Sequence, residues 1–247
     1  MRNHFLRAST PPLVTSGLKV HYDANSYSGS GDWQDESGNN DHASITNATY
    51  VDSGNSDYFR LDGSSISIPT TDPGNTFANF FRRLDKSINV WFKAHKFSGD
   101  GGGTSARIFA AGYRAFKIHA YAGSDGSGPN RVFLSYYHSG SWHTAGYKQD
   151  LSINTWYNYT LTWDQDGDIT GYFDGSTEGV SYQDSSPGDI SYWGGASATD
   201  PNIIGNTGSE SGTRDFDGDI AIFSIYDRVL TGSEVTQNYN HFKNRYT

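Results

Sequence analysis

The sequence predicts an all-β fold, a two-sheet antiparallel sandwich of the jelly-roll type that ends in one α-helix. Three observations support this. Apolar and polar residues alternate with a period of two in several segments, which is typical of strands with one buried face. Clusters of Gly, Ser, Asn and Asp separate these segments, as expected of tight turns. Only the last segment has the three- and four-residue spacing of an amphipathic helix.

Four segments show the strand pattern most clearly: residues 17–24, 87–97, 115–122 and 219–230. The last of these is apolar at both odd and even positions, so we expect it to be central or covered on both faces. In segment 87–97 the two faces differ in chemistry. One face has Ile88, Val90, Phe92 and Ala94, and the other has Asn89, Trp91, Lys93 and His95.

A helix is predicted over residues 232–245. Thr231 and Glu234 have the spacing of a capping box, in which two side chains satisfy the free amides of a first helical turn. The apolar residues that follow recur at intervals of four, three and four, and should lie against the sandwich. They are Val235, Tyr239, Phe242 and Tyr246.

The chain divides into an N-terminal arm, residues 1–16, and one jelly-roll domain, residues 17–247. The arm is polar and closes with two prolines. Two interpretations are open: a disordered terminus, or an arm that docks on a partner. The residues of a docking arm would be Arg2, Phe5, Leu6 and Arg7.

Composition excludes several classes of function. The net charge is −9 and no cluster of Lys and Arg is present, so binding to nucleic acid is not expected. Cysteine is absent, which excludes disulfides, thiolate nucleophiles and Cys-based zinc sites. No segment approaches the roughly 20 apolar residues that cross a bilayer. The N-terminus has no apolar run of a secretory signal, which predicts a protein made in a cytoplasm.

Catalytic patterns are also missing, so we predict that the protein is not an enzyme. Glycoside hydrolysis needs two carboxyl groups a few ångströms apart. The chain has four glutamates, none near another in sequence: Glu36, Glu178, Glu210 and Glu234. Neither the Gly-x-Ser-x-Gly nor the His-Glu-x-x-His motif is present in a suitable context.

Residues 162–176, TWDQDGDITGYFDGS, superficially suggest a calcium loop. An EF-hand loop that started at Asp164 would need Gly at its sixth position and Glu at its twelfth, where Ile169 and Gly175 stand. Asp-Gly between two strand-like segments is instead a strong hairpin signal. We therefore expect residues 166–167 to form a turn between two strands.

Three tryptophans lie in loops rich in Gly and Ser: Trp33, Trp142 and Trp193. Loop aromatics can stack on sugar rings at a binding rim, or they can plug the open ends of the sandwich. A second candidate surface is the polar face of two predicted strands, which could bind a glycan or be covered by a neighbouring subunit. Its residues are Trp91, Lys93, His95, Lys117, His119 and Tyr121.

Several segments resemble the concanavalin A-like lectin/glucanase group, in its laminin-G-like or pentraxin-like branch. They are GLKVHYDA, WQDESGNNDHA, YFRLDGSSISIP, SINVWFK, TWYNYTLTWDQDGDITGYFDG and FDGDIAIFSIYDRVLTGSEVTQNYNHFKNRY. The resemblance covers residues 17–246 and implies two antiparallel sheets in a jelly roll that binds rather than catalyses. It also implies one structural calcium, with Asp23 and Asp219 at the matching positions, and no other cofactor.

The C-terminal segment resembles the endings of bacteriophage virion proteins with this fold. The resemblance implies a non-enzymatic virion surface protein, such as a capsid decoration protein, a head fibre or a tail-fibre tip. Its expected partners are other virion proteins, further copies of itself and a host surface glycan, with no nucleic acid or membrane. The alternatives are a stand-alone carbohydrate-binding lectin module and, with less support, a polysaccharide-cleaving enzyme.

Overall fold

The computed structural model describes residues 10–69, 85–97, 106–111, 116–122, 128–138, 141–164, 168–180, 202–205 and 215–247. Within these ranges the chain forms fourteen strands, one short 3₁₀ helix (Ala24–Ser26) and one α-helix, α1 (Gly232–Tyr246). The strands are β1 (Leu18–Asp23), β2 (Ser44–Thr46), β3 (Thr49–Val51), β4 (Tyr58–Leu61), β5 (Ser65–Ile68), β6 (Lys86–Ala94), β7 (Ala106–Ala111), β8 (Phe116–Tyr121), β9 (Arg131–His138), β10 (Ser141–Gln149), β11 (Trp156–Trp163), β12 (Ile169–Phe173), β13 (Asn202–Ile204) and β14 (Gly218–Tyr226).

These strands form two seven-stranded antiparallel sheets. The first has the order β12–β11–β6–β14–β4–β3, with β1 paired to the second half of β14. The second has the order β10–β9–β8–β7–β13–β5–β2. Many neighbours in each sheet are distant in sequence, as in β6–β14 and β7–β13. The predicted two-sheet sandwich with a single C-terminal α-helix is confirmed.

The main hydrophobic core lies between the sheets, and alternation along each strand determines which residues enter it. In β6 the inward residues are Ile88, Val90, Phe92 and Ala94, all buried in this core. The predicted division of this strand into two faces is therefore confirmed. The hairpin predicted from residues 162–176 is also present as the antiparallel pair β11–β12. Its turn residues 165–167 lie outside the described residues.

Strand β14 is central and all nine of its residues are buried. Its register against β6 shifts between Ile220 and Ile222, which leaves Ala221 as the extra residue of a β-bulge. Ile220 packs in the main core, whereas Ala221 and Ile222 belong to a second cluster on the opposite face of the sheet. The bulge therefore allows one strand to supply apolar residues to two layers, as its two-sided sequence predicted.

The helix α1 begins with the predicted capping box. The Thr231 hydroxyl accepts a hydrogen bond from the Glu234 backbone amide, and the Glu234 carboxylate accepts one from the Thr231 amide. The Arg228 guanidinium donates to both carboxylate oxygens of Glu234, at 2.9 and 2.7 Å. This pairing lowers the pKa of Glu234 to about 2, so the cap stays ionised at all ordinary pH values.

The helix covers part of the outer face of the first sheet. The Tyr239 ring stacks on the Trp91 ring at 5.6 Å between centroids and 6° between planes, and the Tyr246 ring contacts Trp91 at 5.2 Å. Phe242 is buried in the same cluster. The predicted apolar stripe of the helix thus packs on the sandwich. Trp91, which we assigned to a polar binding surface, is fully buried under this helix.

A charged contact fixes the last helical turn. The two terminal nitrogens of Arg245 donate to the two carboxylate oxygens of Asp23, each at 2.6 Å, and one of them also donates to the side-chain oxygen of Asn25. The side chains of Arg245 and Asp23 are only 16% and 13% exposed. Bidentate geometry and partial burial make this a strong pair.

Residues 10–16 pack on their own domain. The Val14 amide donates to the Asn238 side chain at 2.9 Å, and the Tyr226 hydroxyl donates to the Val14 carbonyl. His241 donates to the Pro11 carbonyl at 2.6 Å. The described part of the predicted arm therefore docks on α1 and β14 rather than extending away. The residues Arg2, Phe5, Leu6 and Arg7 lie outside the described residues.

We expect His21 to make the fold sensitive to acid. Its ring lies under Phe242 and is bonded to the Ser224 hydroxyl at 2.9 Å. Burial lowers the pKa of this ring from 6.5 to about 4, and the nearby carboxylates of Asp23 and Asp35 oppose the shift only in part. Between these values the unfolded chain binds a proton that the folded chain does not. The contribution of His21 to the free energy of unfolding is therefore fully present above pH 6.5. It falls by up to about 3 kcal/mol as the pH drops to about 4.

The measurement is urea denaturation of the wild type and of His21→Asn at about pH 7 and about pH 4.5. The variant should be less stable at neutral pH, because the ring contacts are lost, but its further loss on acidification should be smaller. Equal losses in the two proteins would show that His21 is not responsible.

The pair of Arg245 and Asp23 should contribute measurably to stability. We expect Arg245→Met to lower the free energy of unfolding by about 2 kcal/mol, because the Asp23 carboxylate is left without its cation in a mostly buried position. Lys243→Met is the matched control, since Lys243 lies in the same turn with only a cation–π contact to Tyr239 at 5.8 Å. Denaturation curves that shift equally for both variants would contradict this assignment.

Candidate functional site

The predicted glycan-binding tryptophans do not form a site in the described structure. Trp33 is fully buried, its backbone forms a β-bridge with Ala43, and its ring contacts Tyr22 and Phe59 at 5.3 and 4.7 Å. The prediction of an exposed rim residue is therefore wrong for Trp33, because the polar loop folds back and inserts this ring into the core. This is the plugging role considered as the alternative.

The other two tryptophans are less informative. Trp142 lies in strand β10, where its backbone pairs with Tyr137, rather than in a loop. Its side chain and the whole of Trp193 lie outside the described residues.

The two predicted calcium ligands are neutralised by basic side chains. Asp23 is bonded to Arg245, as described above, and Asp219 is bonded to Arg60, Lys93 and His95. A calcium ion needs six to eight oxygen ligands, whereas guanidinium and ammonium groups already occupy the lone pairs of these carboxylates. No cluster of three or more His, Asp or Glu suited to a metal occurs among the described residues. The residues present do not fit the implied calcium.

The carboxylate of Asp219 is instead the centre of a row of side chains across the first sheet. Trp156 on β11 is paired with Lys93 on β6, Lys93 with Asp219 on β14, and Asp219 with Arg60 on β4. All four side chains are on the outer face, opposite the main core. We call these four residues the outer-face row; it spans three interstrand spacings, about 14 Å.

Asp219 organises this row although it is completely buried. One of its oxygens accepts from the Arg60 Nε, and the other accepts from the Lys93 Nζ at 2.7 Å and contacts the His95 Nε2 at 3.0 Å. A buried carboxylate requires such partners, since an unpaired charge would be costly. The hydrogen bond between Arg60 and Asp219 raises the pKa of Arg60 above its ordinary value, so the guanidinium stays charged.

Two aromatic rings flank the Lys93 ammonium. Its Nζ is 4.8 Å from the ring centroid of Tyr58 and 4.8 Å from that of Trp156, and these rings meet edge to face at 5.7 Å. Both rings are half-buried. Cation–π contacts therefore fix the Lys93 side chain, which is only 17% exposed. The aromatic pair presents ring edges and apolar carbon beside a polar row.

Arg60 is the most exposed member of the row, at 40% of its side chain. Asp219 accepts from the Nε of its guanidinium, and Tyr58 is a further side-chain hydrogen-bond partner of Arg60. A guanidinium has five N–H donors, so donors of its terminal nitrogens remain for a ligand. His95, at 21% exposure, borders the row and lies 3.9 Å from the Asp217 carboxylate. Hydrogen-bond donors of the row thus lie next to an exposed acceptor.

The position of the helix leaves part of the row exposed, chiefly Arg60. Helix α1 covers Trp91, one row away along β6, and ends at Tyr246, whose ring contacts Trp156 at 4.9 Å. The row therefore lies immediately beyond the C-terminal end of the helix. Lys93 and His95 were singled out in the sequence as part of a candidate binding surface and Asp219 as a candidate calcium ligand, whereas Tyr58, Arg60 and Trp156 were missed. Period-two alternation places Tyr58 and Arg60 on one face, but nothing in the sequence gives the register that unites the row.

The second surface predicted from the sequence is divided between the sheets. Lys93 and His95 belong to the first sheet, whereas Lys117, His119 and Tyr121 lie on β8 of the second sheet. Lys117 and His119 are buried, at 3% and 6% exposure. The six residues therefore do not form one surface. The prediction was wrong because the similar alternation patterns of β6 and β8 do not indicate which sheet each strand joins.

No described helix is long and apolar enough to cross a membrane. No curated protein sequence matches this chain.

Solved structures with the same fold are mainly binding domains of larger proteins. Domain 4 of an extracellular GH43 arabinanase from Geobacillus stearothermophilus, in complex with arabinotriose, is 18% identical with a TM-score of 0.61, and the match covers 91% of this chain and 98% of that one. The botulinum neurotoxin type G receptor-binding domain is 18% identical with a TM-score of 0.59 over 91% of this chain and 51% of that one. The binding domain of botulinum neurotoxin DC, in complex with SialylT, is 13% identical with a TM-score of 0.65 over 92% and 52%.

This chain spans about half the length of those neurotoxin domains. At such low identities the likeness concerns the fold. A family of laminin G type matches residues 53–236, which is most of the chain. This family is described as the concanavalin A-like lectin/glucanases superfamily. Together with the two antiparallel sheets and the terminal helix, this match shows that the chain belongs to the concanavalin A-like lectin/glucanase superfamily.

Proposed function

We propose that this protein is a non-catalytic, lectin-like module that binds glycans through the outer-face row. The observation that carries the proposal is the register-aligned set of Trp156, Lys93, Asp219 and Arg60 beside the Tyr58 ring, which the helix borders at Trp156 and covers only in part. Aromatic carbon next to fixed hydrogen-bond donors is the combination that suits a sugar, which has apolar C–H patches and many hydroxyl groups.

The residues of the row and its neighbours Tyr58 and His95 would have different roles. The terminal nitrogens of Arg60 and the ring of His95 would bond to hydroxyl groups of the ligand. Tyr58 and Trp156 would contact its apolar face. Asp219 is buried and fully engaged, so it acts as a positioning residue that holds the three basic groups in place.

The comparisons support this proposal at the level of the fold. The arabinanase domain was solved in complex with arabinotriose, and one neurotoxin binding domain in complex with SialylT. Three carboxylates are engaged in ways that would hinder a role as nucleophile or acid in glycoside hydrolysis: Asp23 and Asp219 are held by cations, and Glu234 is bonded to Arg228 and Thr231.

The role of the row can be tested with paired variants. Arg60→Gln should weaken binding of a glycan identified on an array by about tenfold, because a charged donor is lost, and Trp156→Ala should weaken it at least as much. Arg131→Gln is the matched control. Arg131 lies 4.9 Å from the Tyr121 ring on the second sheet, in a cation–π contact like that of Arg60 with Tyr58 at 5.8 Å.

Isothermal titration calorimetry of the three variants gives the outcome directly, and circular dichroism verifies that each is folded. Loss of binding only in Arg131→Gln would place the site on the second sheet. Unchanged affinity in all three would remove the outer-face row from consideration.

We further propose that the module acts on the surface of a bacteriophage virion, made in the host cytoplasm and held on the particle by contacts with other virion proteins. The support is the resemblance of the C-terminal segment to virion proteins, together with the docking of residues 11–14 on that same helix.

The virion proposal predicts that the protein co-purifies with intact particles. Mass spectrometry of gradient-purified virions from the source phage should detect it at a stoichiometry typical of a structural component. Detection only in the lysate supernatant would overturn the virion proposal, and would leave glycan binding to be judged by the titrations.

A further inference from the structure

We infer that the outer-face row selects neutral glycans and discriminates against those that carry sialic or uronic acid. The inference rests on the proposed glycan binding and specifies its ligand class. It is carried by the charges in and around the row, since the sugars of the two classes share hydroxyl groups and differ in a carboxylate.

Within the row, the single carboxylate of Asp219 compensates one of the two positive charges of Lys93 and Arg60. Lys93 and Arg60 both bond to the buried Asp219, and the Lys93 ammonium is enclosed between the Tyr58 and Trp156 rings. Only the terminal part of Arg60 presents a cation to a ligand. An acidic sugar would therefore meet one guanidinium whose charge is shared with Asp219.

Described carboxylates lie beside the row and close to its ends in sequence. The Asp217 side chain is 45% exposed and lies 3.9 Å from His95. Asp62 follows Arg60 in the chain by two residues and is exposed. Asp215 is close enough to Asp62 for that charge to contribute to its raised pKa, although burial is the larger cause. At physiological ionic strength charges act over about 8 Å, so these nearby carboxylates matter more than the net charge of −9.

A neutral sugar can satisfy this arrangement, whereas a carboxylate cannot. Each hydroxyl group both donates and accepts a hydrogen bond. Hydroxyl groups can thus accept from Arg60 and donate to Asp217. An ionised carboxylate on the ligand could accept from Arg60, but it has no proton to give to Asp217 and would be repelled by it.

The experiment compares matched glycan pairs that differ by one acidic residue, such as lactose and sialyllactose, on a glycan array and then by calorimetry. The neutral member of a bound pair should bind at least about tenfold more tightly. Its affinity should change less than about twofold between about 50 mM and about 500 mM NaCl, because no net ion pair forms.

Asp217→Asn should reduce the preference for the neutral member by about threefold, since it removes a repulsive charge. Asp32→Asn, which changes an exposed loop aspartate elsewhere on the domain, should leave the preference unchanged.

Tighter binding of the acidic members, with strong salt dependence, would overturn this inference and leave glycan binding intact. Preferences that are equal in the wild type and Asp217→Asn would also overturn it. A wild-type protein that binds no glycan of either class at millimolar concentrations would overturn both the inference and the proposed function.

Discussion

The structure depends on the burial of strand β14 on both of its faces. Its inner residues Ile220, Phe223 and Ile225 close the core between the sheets, and its outer residues need a further layer. Helix α1 supplies that layer, and the capping box and Arg228 fix where the helix starts. A strand this apolar would be costly to expose, so the helix is an integral part of the domain rather than an appendage.

Ion pairs engage both carboxylates that the family resemblance assigned to a calcium ion. Arg245 lies against Asp23 at the end of the helix, and Arg60, Lys93 and His95 surround Asp219. Both carboxylates are needed in the fold, but as anchors for basic groups. In the first case the result is a helix fastened to β1, and in the second a row of oriented donors. Aspartate thus has a structural role at position 23 and a proposed functional role at position 219.

Much of the fold could be predicted because it depends on local patterns. The faces of β6, the two-sided character of β14 and the capping box at Thr231 are each encoded within a few neighbouring residues. The candidate site could not be predicted in this way. Arg60 and Asp219 are 159 residues apart, and their contact depends on register between strands that are distant in the chain. The sequence likewise left the role of Trp33 open between a binding rim and a plug of the sandwich, since the bridge to Ala43 that folds this polar loop back is not visible in a local pattern.

The bulge at Ala221 places two consecutive residues, Ala221 and Ile222, on the outer face. It therefore separates β14 into two segments whose alternation is out of phase. The segment before the bulge presents Asp219 to the outer-face row, and the segment after it supports the helix. Substitutions in the first segment can alter binding chemistry without changing which residues of the second enter the core. Deletion of the extra residue Ala221 would restore continuous alternation, with Asp219 and Ile222 still outward and Ile220 and Phe223 still inward. A deletion outside the bulge, elsewhere between Asp219 and Ile225, would instead invert one of the two segments. This strand can thus change its length at the bulge but not elsewhere.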